Sequence, residues 1–111
     1  MVAEKLLIKN LKQGREEAYR QLVEEYGNKL LKTCCLILKD REEAEDVVQE
    51  TFIRVFNKIN TFKEQSGLYT WIYAIAINLS RDRIRIRQDI LELKDEWIGN
   101  EDVESQVEMN I

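Results

Sequence analysis

The scarcity of helix-breaking residues is the feature that most constrains this fold. The 111 residues contain no proline and only four glycines. Proline and glycine are the residues that most strongly interrupt helices and mark turns. The chain is also rich in Leu, Glu, Lys and Arg, which favour helix, and its length suits one small hydrophobic core. We therefore predict an all-α fold, a compact bundle of about four helices with a long, basic last helix.

Apolar spacing and capping residues indicate where the helices lie. The four predicted helices span about residues 3–12, 16–38, 40–59 and 69–93, with a loop over residues 60–68. Asp40 can cap the third helix, and Glu43 follows three residues later, as in a capping box. In the first helix we expect Leu6, Leu7 and Leu11 to be buried. In the third helix we expect an apolar stripe of Ala44, Val47, Val48, Thr51, Phe52, Val55, Phe56 and Ile59.

Charge is distributed unevenly along the chain. The net charge is −4, but residues 92–111 hold seven acids against one lysine, so the other residues are slightly basic. Residues 78–88 hold four arginines and one aspartate. A small basic patch therefore precedes an acidic segment. We predict a helical domain over residues 1–94 and a mobile, acidic, linker-like tail over residues 95–111.

Composition argues against catalysis and metal binding. Histidine is absent, which removes the usual general base and the commonest metal ligand. Cys34 and Cys35 are adjacent, and neighbouring helical residues do not face each other, so we expect no disulfide, metal site or cofactor. No apolar run reaches the roughly 20 residues of a membrane span, and the first residues lack a signal-peptide core. We expect a cytoplasmic protein that is not an enzyme and does not insert into membranes.

The third predicted helix carries a polar face formed by Asp46, Gln49 and Glu50. These residues lie three or four positions apart, so a helix places them on one side, beside Val47 and Arg54. Carboxylates and an amide next to apolar residues suit docking against an arginine-bearing partner helix. The same spacing is typical of a solvated helix face, so the pattern alone leaves both interpretations open.

A second polar line lies on the fourth predicted helix. Asparagine can pair with a base edge and arginine can neutralise phosphates, although a charged, solvated helix end gives the same pattern. The residues of this line are Asn78, Arg81, Asp82, Arg85 and Asp89. In the preceding loop, small polar side chains could form a pocket around an everted base, as could many ordinary loops. The residues that would form it are Thr61, Lys63, Gln65, Ser66, Gly67 and Thr70.

Two long motifs carry a family resemblance. The first is AEDVVQETFIRVF at residues 44–56, and the second is SGLYTWIYAIAINLSRDRIR at residues 66–85. The first resembles the core-binding helix of extracytoplasmic-function (group IV) sigma factors of the sigma-70 family. The second is similar to that family's Thr-Trp…Ile-Ala-x-Asn…Asp-x-x-Arg segment. The resemblance covers about residues 6–87 and corresponds to the second region of these factors.

The resemblance implies two interfaces and no catalytic chemistry. In this family the acidic helix docks on the clamp helices of the RNA polymerase β′ subunit, and the loop and last helix hold the non-template strand of the promoter's minus-ten element. It assigns polymerase binding to Asp46, Val47, Gln49, Glu50 and Arg54. It assigns DNA binding to Thr61, Lys63, Ser66, Tyr69, Thr70, Asn78, Arg81, Asp82 and Arg85. An anti-sigma protein is a further possible partner.

Two features depart from the family pattern. Gly67 and Leu68 stand where a more polar or aromatic pair is expected, so the base preference of the pocket is not predicted. Members of the family continue into a helix-turn-helix domain that reads the minus-thirty-five element, whereas this sequence stops after the acidic tail. We therefore expect an isolated domain or a truncated relative that binds promoters poorly alone.

Two other classes of function compete with this interpretation. An acidic helical protein-interaction adaptor without DNA recognition would have the same net charge and basic patch. An enzyme would need a nucleophile with a base or a metal cluster, and the sequence lacks histidine and spaced cysteines. The sequence therefore favours a binding module.

Overall fold

The computed structural model describes residues 2–100 of the chain and the side chains of residues 3–97. Its elements are α1 (Val2–Lys12), α2 (Glu16–Leu38), α3 (Arg41–Lys58), a 3₁₀ turn (Ile59–Thr61) and α4 (Leu68–Asn100). Residues 2–100 contain no β-strand. The predicted all-α bundle is confirmed, and each of α1 to α3 begins and ends within a residue or two of its prediction.

The chain divides into two compact units, Met1–Arg81 and Asp82–Ile111, with the division inside α4. Helix α4 continues to Asn100, beyond its predicted end near residue 93, because no glycine or proline interrupts it before Gly99. Part of the predicted tail, residues 95–100, is therefore helical. Residues 101–111, where the rest of the predicted mobile tail falls, lie outside the described residues.

The core of the first unit forms where α2 packs against α3 and α1 packs against α2. Leucines at helical spacing on α2 supply the centre, and the start of α4 adds further apolar side chains. Ring and polar contacts join α2 to α4 through Tyr26 and Tyr69 and through Cys34 and Ser80. The largest fully buried apolar side chains are Leu22, Leu30, Leu38, Val47, Val55, Leu68 and Ile72.

Two residues that we expected in the core lie on the surface. Leu6 is 57% exposed, because the buried face of α1 is formed by Leu7, Ile8 and Leu11, and Leu6 points to one side of it. Phe56 is 58% exposed, because it stands one residue after the buried Val55. One helical residue is a rotation of about 100°, which is enough to move a side chain off the buried face.

Local backbone signals hold the ends of the helices in place. The predicted cap of α3 is confirmed, since the Asp40 carboxylate accepts a hydrogen bond from the Glu43 backbone N–H at 3.1 Å. Helix α2 ends at Leu38, and the capping residue Lys39 adopts a left-handed backbone with φ 56° and donates its N–H to the Cys35 carbonyl at 2.8 Å. After α1, Gly14 adopts φ 74°, a conformation that glycine reaches without steric cost.

Candidate functional site

The outer face of α3 presents the predicted polar group, which we call the acidic ridge: Asp46, Gln49 and Glu50. Asp46 and Gln49 are exposed, and the Glu50 side chain is partly exposed. Glu50 accepts a hydrogen bond from the Arg54 guanidinium at 3.3 Å. Exposed ion pairs of this kind contribute little to stability.

Val47 does not lie on this surface. Its side chain is fully buried in the core beneath α3, and its carbonyl accepts a hydrogen bond from the Thr51 hydroxyl at 2.7 Å. A buried side chain cannot contact a docking protein without unfolding of the helix. The assignment of Val47 to polymerase binding therefore needs correction: Val47 belongs to the apolar stripe and positions the residues on either side of it.

Sequence reasoning missed the apolar continuation of the acidic ridge. Ile53 and Phe56 are each 58% exposed and line an open apolar cavity of about 410 Å³ together with Leu11 and Tyr19. The Tyr19 ring stands edge-on to Phe56 at 5.5 Å between centroids. The signal was present in the spacing, since steps of three and four lead from Asp46 through Gln49 and Ile53 to Phe56. The outer face of α3 is therefore polar in its first half and apolar in its second.

Tyr19 holds this apolar part in place. Its hydroxyl donates a hydrogen bond to the Phe52 backbone carbonyl at 2.6 Å. Burial raises the pKa of the Tyr19 hydroxyl above its ordinary value, so the proton that makes this bond is retained at neutral pH. This hydrogen bond joins α2 to α3 close to the exposed Phe56.

The loop before α4 forms a small depression of about 230 Å³. Phe62 and Trp71 stack in this depression with ring centroids 4.9 Å apart and planes inclined by 27°. Phe62 is buried and Trp71 is half-buried. The depression brings together three of the predicted DNA-binding residues, Thr61, Lys63 and Ser66, and also Gln65.

Hydrogen bonds near the loop and one hydrogen bond from α1 hold the loop in its conformation. The Thr61 hydroxyl donates to the Lys58 carbonyl at 2.6 Å, and the Ser66 hydroxyl donates to the Gly67 carbonyl at 3.3 Å. From α1, the Lys12 ammonium donates to the Phe62 carbonyl at 3.0 Å. Lys12 precedes Phe62 by fifty positions, and no local pattern in the sequence connects the two residues.

Tyr69 lies in an aromatic cluster and Leu68 lies in the core. The Tyr69 ring is 5.0 Å from Tyr26 and 5.8 Å from Tyr73, and the Lys29 ammonium is 5.7 Å from its centroid. Leu68 is fully buried, so this departure from the family pattern serves packing. Thr70 is exposed beside the half-buried Tyr69.

The predicted polar line of α4 falls in both units, and each part is described by itself. In the first unit Asn78 and Arg81 are exposed, while Leu79 and Ser80 between them are buried. In the second unit Asp82 and Arg85 are exposed and joined at 2.6 Å from the guanidinium to the carboxylate.

The thiols are free, and metal ligands are dispersed. Cys34 is buried and Cys35 is half-buried. Burial raises the pKa of the Cys34 thiol above its ordinary value. Within residues 2–100, no group of three or more His, Cys, Asp or Glu residues could hold a metal ion. The same part of the chain contains no helix that is long and apolar enough to cross a bilayer.

The described residues thus form an all-helical bundle with an exposed acidic ridge, followed by a polar loop and a long helix. Residues 22–89 match the Sigma-70 region 2 family, and the chain belongs to this family.

Individual relatives agree with that assignment. The chain is 38% identical over 94 residues to the extracytoplasmic-function RNA polymerase sigma factor SigW of Bacillus subtilis, covering 85% of this chain and 50% of the relative. It is 35% identical over 81 residues to the RNA polymerase sigma-H factor of Pseudomonas aeruginosa, covering 73% of this chain and 42% of the relative. The chain thus spans half or less of the length of these relatives.

Two solved structures share the fold. An engineered region 2 of sigmaE, solved by NMR in complex with GTAAAA, has a TM-score of 0.71 and 26% identity, over 80% of this chain and 93% of that one. CnrH, solved in complex with the cytosolic domain of CnrY, has a TM-score of 0.69 and 27% identity, over 93% of this chain and 69% of that one.

Proposed function

We propose that this chain is a transcription-initiation module that docks on the clamp helices of the RNA polymerase β′ subunit and holds non-template bases of the promoter's minus-ten element. The observation that carries the proposal is the exposure of Asp46, Gln49 and Glu50 on α3, inside the region that matches the Sigma-70 region 2 family. This role is one of binding, without catalysis, and it places the protein in the cytoplasm, where polymerase and promoter DNA are found.

Both halves of the outer face of α3 take part in the proposed docking. The acidic ridge offers carboxylates to arginines of the partner helix, and charge-assisted hydrogen bonds of this kind are the stronger ones. Ile53 and Phe56 then bury apolar area beside the ridge, as the core of an interface does inside its polar rim. Arg54 acts from the flank by holding Glu50 until the partner's cation replaces it.

The DNA part of the proposal uses the loop depression and α4. The depression lined by Thr61, Lys63 and Ser66 takes an everted base over the Phe62–Trp71 stack, since aromatic faces and small polar groups suit a flipped base. The complex of the similar sigmaE region with GTAAAA supports this assignment. The remaining proposed contacts are Tyr69 and Thr70 at the start of α4, Asn78 and Arg81 in the first unit, and Arg85 in the second.

Asp82 takes a supporting role in this proposal. A carboxylate near phosphates is repelled by them, whereas its 2.6 Å bond to Arg85 orients the guanidinium that neutralises a phosphate. We therefore assign Asp82 to the positioning of Arg85.

An anti-sigma protein remains a proposed partner. CnrH is similar to this chain and was solved with the cytosolic domain of CnrY. Ile53 and Phe56 expose apolar side chains on the outer face of α3, and a regulator that covered them would compete with polymerase.

Charge reversal on the acidic ridge tests the proposal. In a binding titration with a β′ clamp-helix fragment, Asp46→Lys and Glu50→Lys should each weaken binding at least about tenfold, because attraction to the partner's arginines becomes repulsion. Glu17→Lys, the same reversal at an exposed site on α2, is the matched control and should bind normally. An adaptor unrelated to polymerase would fail to bind the fragment, and equal affinities for all three variants would refute the assignment of the ridge.

A further inference from the structure

The second unit carries an apolar stripe that is exposed to solvent. Ile86, Ile90 and Leu93 are 53%, 51% and 67% exposed, and Trp97 is also exposed. These residues follow one another in steps of four, three and four, so they form one narrow face of α4. Four large apolar side chains on one exposed helical face mark an interaction surface.

The stripe follows the heptad pattern of a coiled coil. Ile90 and Trp97 occupy a positions, and Ile86 and Leu93 occupy d positions. A β-branched residue at a with leucine at d, as at Ile90 and Leu93, favours two-stranded association. Arg83 occupies the a position before Ile86 and ends the apolar seam there.

The charges beside the stripe indicate both the partner and its direction. Asp89 occupies a g position and Lys94 the e position five residues later, and both are exposed. In a parallel pair of identical helices, the g residue of one helix faces the e residue of the next heptad of the other. Two copies in parallel would therefore place Asp89 of one copy against Lys94 of the other. An antiparallel pair would instead face acidic g residues with acidic ones and basic e residues with basic ones.

We propose that residues 82–97 of α4 associate with the same segment of a second copy of this chain as a parallel, two-stranded coiled coil through Ile86, Ile90, Leu93 and Trp97. The self-complementary charge pattern selects a second copy as the occupant of the stripe. Arg85 lies at a c position, away from the seam, so dimerisation leaves its proposed DNA contact open. The inference does not depend on the proposed function.

The dimer should be weak and reversible. Two heptads form a short seam, and short helices gain little from propensity alone. We expect a dissociation constant on the order of 100 μM, so that the full chain is monomeric when dilute and dimeric when concentrated.

Sedimentation equilibrium of the full chain over a range of concentrations tests the seam. Ile90→Lys should raise the dissociation constant at least about tenfold, because two lysines would meet in the seam. Leu91→Lys adds the same charge one residue away, off the seam and at a more exposed site, and should dimerise normally. Far-ultraviolet circular dichroism checks that both variants keep their helicity.

Charge swaps test the direction of the pair. Asp89→Lys and Lys94→Asp alone should each weaken the dimer about three- to tenfold at low salt, and the double swap should restore it. Neither single change would weaken an antiparallel dimer, because neither removes an attractive pair there. The proposal would be overturned if the chain stayed monomeric up to about 1 mM, and the stripe would then be covered by another segment or protein. It would also be overturned if the Ile90→Lys variant dimerised as strongly as the Leu91→Lys variant.

Discussion

At the scale of single residues, Lys12 does more for the candidate DNA site than its position in α1 suggests. Its ammonium reaches the Phe62 carbonyl at 3.0 Å, and Phe62 stacks on Trp71 in the loop depression. The contact is partly buried, and hydrogen bonds to charged groups are stronger there than in open solvent. Lys12 thereby ties the loop to α1 and holds the depression that we propose for a base.

Removal of this donor should impair DNA binding more than folding. Lys12→Met keeps the aliphatic stem but removes the ammonium, so we expect a loss of stability of about 1 kcal/mol or less and about a three- to tenfold weaker affinity for a single-stranded minus-ten oligonucleotide. Fluorescence anisotropy at fixed salt measures the affinity, and urea denaturation measures the stability.

Lys9→Met is the matched control for that experiment, because Lys9 is an exposed lysine of the same helix. Loss of one general positive charge should affect both variants alike. Equal affinities for Lys12→Met and Lys9→Met would show that the link to the loop carries no function.

At the scale of elements, the junction between α2 and α3 combines a residue with a strained backbone and a residue that caps the next helix. Lys39 adopts φ 56°, a left-handed conformation that strains any residue with a Cβ. The next residue, Asp40, caps α3 through the Glu43 N–H. The acidic ridge begins in the second turn of α3, so this junction sets the position of the ridge relative to α2.

Substitutions at the two neighbouring residues should act in opposite directions. Lys39→Gly should raise the free energy of unfolding by about 0.5–1 kcal/mol, since glycine removes the strain at a helix C-terminus. Asp40→Ala should lower it by about 1 kcal/mol, since a capping hydrogen bond is lost. Urea denaturation of both variants with the parent chain measures the difference, and a destabilising Lys39→Gly would contradict the strain argument.

The same scale shows where periodicity succeeds and where it fails. It located α1, α2, α3 and the cap at Asp40, because these depend on residues within a few positions of one another. It misassigned Leu6 and Phe56, which are apolar but stand one residue from the buried face. It underestimated α4 at its C-terminal end, because the loss of apolar periodicity after about residue 95 does not by itself end a helix.

At the scale of the whole molecule, alkaline pH should destabilise the fold. Burial is the main cause that raises the pKa of the Cys34 thiol and of the hydroxyls of Tyr19, Tyr26 and Tyr69. The folded chain therefore keeps protons that the unfolded chain releases, and unfolding is favoured as pH rises through the ordinary values, about 8.5 for cysteine and about 10 for tyrosine.

We expect the melting temperature to be steady from about pH 7 to 8 and to fall progressively from about pH 8.5 to 10.5. A Cys34→Ala variant should show a shallower fall between about pH 8.5 and 9.5, whatever its absolute stability, because one of the groups that titrate on unfolding is gone. Thermal denaturation followed by circular dichroism measures both curves. Parallel curves for the two proteins would show that Cys34 is not part of the pH dependence.

The sequence by itself determined the helical class, the limits of the first three helices and the exposure of Asp46, Gln49 and Glu50, because local spacing, capping and missing helix breakers govern these features. Only the tertiary structure decided that Val47 is buried, that Ile53 and Phe56 extend the ridge, and that Lys12 holds the loop at Phe62. These outcomes depend on contacts between residues far apart in the chain, where a rotation of one residue changes which side chain faces the core. Local periodicity does not indicate which helix packs against which face, and only the tertiary contacts show this.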